Sequence, residues 1–187
     1  QPRNITTSNP AYDGSPKYSP DGKYIAYRMQ KQPGYESDLF RLAIYDRATG
    51  ASTVLTESFR NWVDEFQWSE DSKSIYFAAP VEGQTPIYRI DLASKVVTQV
   101  LADRTILGWE VAGNKLLYAR SSVGEPVELF ASQINNGRAI AGARLTRIND
   151  SVASEVDVRP AETMWVEGAG GAKIHVFIVK PHAFDPN

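Results

Sequence analysis

Apolar and polar residues alternate in short runs along most of the chain, and three of these runs have the same order. They are YSPDGKYIAY from Tyr18, WSEDSKSIYF from Trp68 and WEVAGNKLLY from Trp109. In each run an aromatic residue precedes a polar turn, and a stretch with apolar residues at every second position follows, as in a strand with two different faces. The recurrence of this order along the chain indicates an internal repeat.

Each repeat continues with two further strand-like stretches. These are LFRLAIYD and STVLT, PIYRIDL and VTQVL, and ELFASQI and ARLT, and Asn136-Gly137 in the last repeat is a strong hairpin signal. Together with the strand that ends at the aromatic residue, one repeat predicts four antiparallel strands. Four strands in about 40 to 50 residues is the size of a β-propeller blade. The alternative is a β-sandwich with similar hairpins, and it stays open. A sandwich does not require the order of aromatic residue, polar turn and strand to occur three times, so the repeat favours the propeller.

The pattern predicts an all-β protein, because no segment has a helical period over ten or more residues. We expect a partial β-propeller over residues 1–158, with blade cores at about 16–56, 62–101 and 105–146. Residues 159–187 have a different pattern, in which ETMWVEG and KIHVFIVKP flank AGGA. This pattern predicts a hairpin outside the repeats.

The repeats resemble the propeller repeats of TolB-like proteins and of the prolyl oligopeptidase family of serine peptidases. The end of the chain favours the peptidases, because RLTRINDSVASEV and AETMWVEGAGGAKIHVFIVKPHAFDPN are similar to the passage from propeller to α/β-hydrolase domain in acylaminoacyl and dipeptidyl peptidases. The resemblance implies about three TolB-like blades followed by the hairpin that begins an α/β-hydrolase domain. The matching positions are Leu145, Thr146, Asn149, Gly171, Lys180, Pro181, Phe184, Asp185 and Pro186.

The resemblance also implies a parent serine peptidase that hydrolyses short peptides near their amino end. Such a hydrolase needs a G-x-S-x-G elbow followed by an acid and a histidine, and the chain contains no such motif. We expect His175 to face a polar surface and His182 to lie in a loop, both upstream of the missing elbow. We therefore expect no catalytic residue here, and a role as scaffold and substrate gate. The alternative is a TolB-like protein-binding propeller without enzymatic activity.

The loop RMQKQPGYESD is the candidate for substrate binding, because it is longer than the corresponding loop of the second repeat. The resemblance implies that carboxylates of the propeller hold the free amino end of a peptide. Glu36 and Asp38 are suited to pair an amine, Tyr35 to stack or donate a hydrogen bond, and Arg28 to hold a carbonyl or carboxylate. The alternatives are a solvated acidic loop, Asp38 as a turn-closing residue and Arg28 in a structural ion pair.

Composition removes several classes of function. With 20 Lys+Arg against 22 Asp+Glu there is no basic surface for nucleic acid or an anionic membrane, and no apolar run is long enough for a membrane span. The absence of cysteine excludes disulfides and thiolate chemistry. GAGGAK lacks the Lys-Ser/Thr end of a phosphate-binding loop, and two histidines without acids make a poor metal site. We expect neither cofactor nor metal.

The expected partners are a short peptide substrate and the remainder of the same polypeptide. A piece of three blades leaves the outer faces of its first and last blades uncovered, so we also expect the isolated chain to self-associate. The polar start QPRNITTSNP lacks the basic and apolar regions of a signal peptide. We expect any export signal to lie upstream, and the compartment stays open between periplasm and cytoplasm.

Overall fold

A computed structural model describes residues 3–185 and contains three four-stranded antiparallel sheets, one for each repeat. In every sheet each strand pairs with the next strand along the chain, which confirms the all-β prediction. The first sheet consists of β1 (Asp13–Tyr18), β2 (Tyr24–Met29), β3 (Arg41–Asp46) and β4 (Ser52–Val54). The second consists of β5 (Phe66–Trp68), β6 (Ser74–Ala78), β7 (Ile87–Asp91) and β8 (Val97–Leu101). The third consists of β9 (Thr105–Ala112), β10 (Lys115–Ser122), β11 (Glu125–Gln133) and β12 (Ala143–Arg144).

The polar turns after β1 and β5 have the same hydrogen bonds. Ser19 Oγ donates to Asp21 Oδ1 at 2.7 Å, and Ser69 Oγ donates to Asp71 Oδ1 at the same distance. Each aspartate also accepts a backbone N–H two residues later. Such local bonds close a turn without help from the rest of the fold, which explains why the repeats are recognisable in the sequence.

The third repeat has a different turn. A two-residue connection, Gly113-Asn114, joins Ala112 to Lys115, and the φ of Gly113 is 57°. The short turn lets the flanking strands pair up to its ends, because two-residue hairpins match the twist of the strands. As a result β9 runs past Trp109, the aromatic residue at which the sequence predicts the strand to end.

Two hydrophobic clusters join the three sheets. The cluster between the first two sheets contains Phe77, which is fully buried and lies 5.3 Å from Phe59 and 5.5 Å from Tyr88 between ring centroids. The cluster between the second and third sheets contains Tyr118, which is 1% exposed. Phe77 and Tyr118, the aromatic residues that end the strand-like runs of the second and third repeats, therefore pack between neighbouring sheets and stabilise their stacking.

Side chains at one repeat position also link the innermost strands. Lys17 Nζ donates to the Phe66 carbonyl at 2.7 Å, and Gln67 exchanges two hydrogen bonds with the Val111 backbone at 2.8 and 3.0 Å. Lys17 and Gln67 each directly precede the aromatic residue of their repeat. The third repeat has Gly108 at this position and therefore has no side chain for a further link.

The last part of the chain forms a separate two-stranded sheet, as the sequence predicts. The strands are β13 (Glu162–Glu167) and β14 (Lys173–Ile178), joined by a 3-10 turn at Ala169–Gly171. A short helix, α1 (Asp150–Glu155), precedes the hairpin. No such helix is predicted from the sequence, because six residues are too few to establish a helical period.

The two histidines have different surroundings. His175 lies between the rings of Trp165 and Phe177, each at 4.4 Å between centroids, so the prediction of a polar surface is wrong. His182 follows β14 in a loop, and its Nδ1 is 2.6 Å from Asp157 Oδ2. Pro186 lies outside the described residues. Within residues 3–185 no helix has the length and apolar character needed to cross a membrane.

Candidate substrate-facing site on the propeller

The connections between the second and third strands of the three sheets lie at corresponding ends of those sheets. They are residues 30–40, 79–86 and 123–124, so the first is the longest. Because each sheet is antiparallel and follows chain order, the chain also leaves β12 at this end. We call the face formed by these three connections and by the departing segment 145–160 the exit face.

Asp38 holds the long loop of the exit face together. Its carboxylate accepts the N–H groups of Lys31 at 2.5 Å and Gln32 at 3.0 Å, and it pairs with Arg41 at 3.1 Å. Burial raises the pKa of Asp38, but these three donors outweigh burial and lower the pKa to about 2. Asp38 is therefore ionised at neutral pH, and its carboxylate is occupied by two N–H groups of the loop and by Arg41 of β3.

Tyr35 and Glu36 lie at the exposed part of the same loop. Tyr35 is 56% exposed, and the Glu36 side chain is also exposed. In the described part of the chain, the Glu36 carboxylate makes no ion pair, whereas its backbone carbonyl accepts Gln30 Nε2 at 3.5 Å. The loop therefore presents one unpaired carboxylate beside one aromatic ring.

Arg28 lies on β2 and not in the loop. Its guanidinium is 4.2 Å from the centroid of the Phe40 ring, and its Nη1 is 3.5 Å from Asp64 Oδ1. Phe40 in turn packs against Trp62, 4.9 Å away between centroids. The Nε atom of Arg28 is buried and has no hydrogen-bond partner among residues 3–185. Arg28 is thus held in place by a ring and an acid, while its buried Nε donor lacks a partner in the described chain.

The innermost strands of all three sheets line a cavity of about 440 Å³. Its wall carries both positive and negative side chains, and two of the lining residues, Arg28 and Trp109, have a buried donor (Nε and Nε1) without a partner in the described part of the chain. A buried donor without a partner costs free energy. The sequence does not identify Trp109 as a residue of this cavity, because an aromatic residue that recurs in each repeat is expected to belong to the hydrophobic core. The cavity is lined by Ser15, Lys17, Arg28, Asp64, Glu65, Phe66, Gln67, Trp109 and Glu110.

A second set of polar contacts fixes the segment that leaves the last blade. Glu128 is 4% exposed and accepts hydrogen bonds from Thr146 Oγ1 and from the Asn149 N–H at 2.8 Å, and it pairs with Arg144 at 3.0 Å. Burial raises the pKa of Glu128, but these donors outweigh burial and lower it to about 2. Thr146 and Asn149 are two of the positions that match acylaminoacyl and dipeptidyl peptidases, and their contacts with Glu128 give these positions a structural role.

We expect Glu128→Gln to reduce the acid sensitivity of the fold. The folded-state pKa of about 2 lies below the ordinary value of 4.5, so Glu128 stabilises the fold above that value and loses this effect as the pH falls toward 2. The variant should melt at a lower temperature than wild type at pH 6, with a smaller difference at pH 3. Thermal melts at both pH values measure this. Glu155→Gln, at an exposed position of α1, is the control and should melt like wild type. An equal loss of melting temperature at both pH values in Glu128→Gln would contradict the prediction.

The fold has the architecture of consecutive β-propeller blades, and solved structures bear this out. Acylaminoacyl peptidase from Pyrococcus horikoshii superposes with a TM-score of 0.67 at 20% identity, over 87% of this chain and 24% of its own. The β-propeller domain of the Trilobed protease from Pyrococcus furiosus superposes with a TM-score of 0.56 at 18% identity, over 83% of this chain and 45% of its own. The prediction of a partial propeller is confirmed.

Sequence comparison adds the family. The chain is 34% identical over 185 residues to dipeptidyl-peptidase 5 from Porphyromonas gingivalis. The aligned region covers 98% of this chain and 27% of the relative. No family model matches the chain. The match confirms the resemblance to peptidases of the prolyl oligopeptidase family, and the chain corresponds to one part of the length of such relatives. It spans about a quarter of the length of the curated relatives it matches.

Proposed function

We propose that the chain is the non-catalytic propeller part of a serine peptidase that releases dipeptides or acylated amino acids from short peptides. The match to dipeptidyl-peptidase 5 extends over 98% of the chain and therefore includes the exit segment and the hairpin. On this proposal residues 1–158 are propeller, and residues 159–187 begin the α/β-hydrolase domain. The propeller acts as a scaffold and gate, and the catalytic groups belong to the rest of the polypeptide.

The observation that carries this proposal is the position of the long loop. Residues 30–40 lie on the exit face, from which the chain departs toward β13. Loop residues on this face point to the side on which the second domain begins, so they are placed to meet a substrate held between the two domains. The same loop at the opposite ends of the strands would have no such role.

Within this site the four residues have different roles. Glu36 is the anchor for a protonated amino terminus, because its carboxylate is exposed and unpaired, and Tyr35 lies beside it. Asp38 keeps the loop closed. Arg28, on the wall of the cavity, offers its guanidinium charge to a carbonyl or carboxylate of the peptide.

The remainder of the polypeptide covers the outer face of the third sheet. Leu117, Val127 and Leu129 are 43%, 45% and 38% exposed there, although β-sheets of this kind are covered on both faces in a closed propeller. Without such a cover, we propose that the isolated chain associates through this face. The competing proposal, a TolB-like binding propeller, is distinguished by the coding sequence after Asn187, where a G-x-S-x-G motif marks the peptidase.

In the intact peptidase, we expect Glu36→Gln to weaken the selectivity for substrates with a free amino terminus. A charge-assisted contact is worth about 1.5–3 kcal/mol, so kcat/KM should fall about ten- to a hundredfold for free dipeptidyl substrates. Amino-blocked substrates of the same sequence should be unaffected. Steady-state kinetics on both substrates measure this.

The control for this prediction is Glu82→Gln, in the corresponding connection of the second sheet. It removes an acid from the same face and should change neither rate. Equal losses on free and blocked substrates in Glu36→Gln would contradict the anchor and leave a structural effect of the loop. Asp38→Asn, which loosens the loop, is expected to reduce both rates.

A further inference from the structure

Two glycines on the exit face are contacted by the segment that follows the last blade. A Cβ atom at Gly83, between β6 and β7, would overlap with the Phe177 ring of β14, whose Cε2 atom would lie 3.0 Å away. A Cβ atom at Gly124, between β10 and β11, would lie 2.7 Å from N and 2.9 Å from Cα of Pro160. Real Cβ atoms do not approach other atoms so closely. A larger residue at Gly83 must therefore displace the Phe177 ring, and one at Gly124 must displace Pro160.

The two contacts involve different parts of the departing chain. Phe177 is a hairpin residue whose ring packs against His175 at 4.4 Å, whereas Pro160 belongs to the linker before β13. The φ of the linker is fixed at Pro160 by the proline ring. One glycine therefore receives the hairpin, and the other receives the linker that leads to it.

The hairpin needs such support. A two-stranded sheet is marginally stable in water by itself, and β13 and β14 pair with each other alone among the described strands. Several of its apolar side chains are half-exposed, including Met164 at 46% and Trp165 at 51%. Contacts with the blades are thus what determines where the hairpin lies.

We propose that Gly83 and Gly124 form a docking seat that fixes the hairpin and its linker against the propeller. The seat works because both positions lack a Cβ atom, which lets a ring and a proline backbone approach the turns directly. If the chain has the proposed function, on which this step rests, the same seat sets the position of the second domain relative to Glu36. Gly83 and Gly124 are then positioning residues, since neither touches the substrate.

Hydrogen exchange on the 187-residue chain tests the seat with matched glycine controls. Gly83 has φ of 74°, and Gly113 has φ of 57° with open space around its Cβ position, so Gly113→Ala has comparable backbone strain without the clash. Gly108 is likewise open and is the control for Gly124. We expect Gly83→Ala and Gly124→Ala to accelerate exchange of the paired amides in β13 and β14 at least tenfold, and the controls to leave them unchanged.

A second variant separates the contact from general destabilisation. Phe177→Ala should also release the hairpin, and adding Gly83→Ala to it should have no further effect on hairpin exchange, because the clash has lost its partner. Amides of the first sheet should stay protected in every variant. Unprotected hairpin amides in wild type, or equal acceleration in Gly83→Ala and Gly113→Ala, would overturn the seat.

The outcome is independent of the amine anchor. Replacing Glu36 does not affect hydrogen exchange of the β13 and β14 amides. The glycines do not enter the comparison of free and blocked substrates in Glu36→Gln. Accelerated exchange in Gly83→Ala together with unchanged selectivity in Glu36→Gln would support the seat and remove the anchor. In the intact peptidase Gly83→Ala should lower kcat/KM for free and blocked substrates by the same factor, and no loss on either would remove its positioning role.

Discussion

Replacing Phe77 with Ala is expected to lower the free energy of unfolding by about 3–5 kcal/mol. The ring is fully buried between the first and second sheets and packs against Phe59 and Tyr88, so its removal loses apolar burial and leaves a cavity. Domains are stable by only about 5–15 kcal/mol in total. A loss of this size is a large fraction of the whole, and urea unfolding followed by circular dichroism measures it.

Phe184→Ala is the matched control, because the same side chain is removed from a position that is 45% exposed. Its unfolding midpoint should stay close to that of wild type. A Phe77→Ala variant with a wild-type midpoint would mean that the first two sheets do not stack through this ring in solution.

Asp103→Ala is expected to cost a similar amount, about 3–5 kcal/mol, for an electrostatic reason. Asp103 is 8% exposed and accepts hydrogen bonds from Tyr118 Oη at 2.6 Å and from Arg120 Nη1 at 3.0 Å. Burial raises the pKa of Tyr118, and the hydrogen bond to Asp103 raises it further, to about 12, so the phenol remains a donor. Removing the carboxylate leaves a buried hydroxyl without its acceptor and a largely buried guanidinium with only its contact to Glu125.

Chemical denaturation at neutral pH measures the effect, and Asp157→Ala is the control. Asp157 also pairs with an arginine, Arg159, but at a more exposed position where solvent replaces the lost contact. The Asp157→Ala midpoint should stay near wild type. A small effect of Asp103→Ala would show that the existing contact of Arg120 Nη2 with Glu125, at 3.3 Å, is sufficient to hold the guanidinium. Glu125 is then the group to test next.

Much of the fold is predictable because its signals are local. The hydrogen bonds of Ser19 with Asp21 and of Ser69 with Asp71 join residues two positions apart, so the turns are visible in the sequence. The alternation of apolar residues then defines which strand face packs against the next sheet. Helix α1 is not predictable in this way, since contacts of Asn149 and Arg144 with Glu128 hold the segment around it.

The candidate site is less predictable because its contacts are tertiary. Glu36 and Asp38 are equivalent acids in the sequence, and only the loop conformation brings the N–H groups of Lys31 and Gln32 to Asp38. Arg28 is adjacent to the loop in sequence, but the ring of Phe40 and the carboxylate of Asp64 hold it at the cavity wall. Composition and spacing contain no signal for either arrangement.

The lengths of the outer strands have a consequence for aggregation. An unpaired strand edge offers N–H and C=O groups to other chains, and short edges limit this hazard. The outer strands β4 and β12 have three and two residues, and the edge of β8 is met by the Ala139 N–H, which donates to the Val100 carbonyl at 2.7 Å. In contrast β13 and β14 each have six residues and pair only with one another in the described chain. Intermolecular strand pairing is therefore expected at the hairpin rather than at the outer strands of the blades.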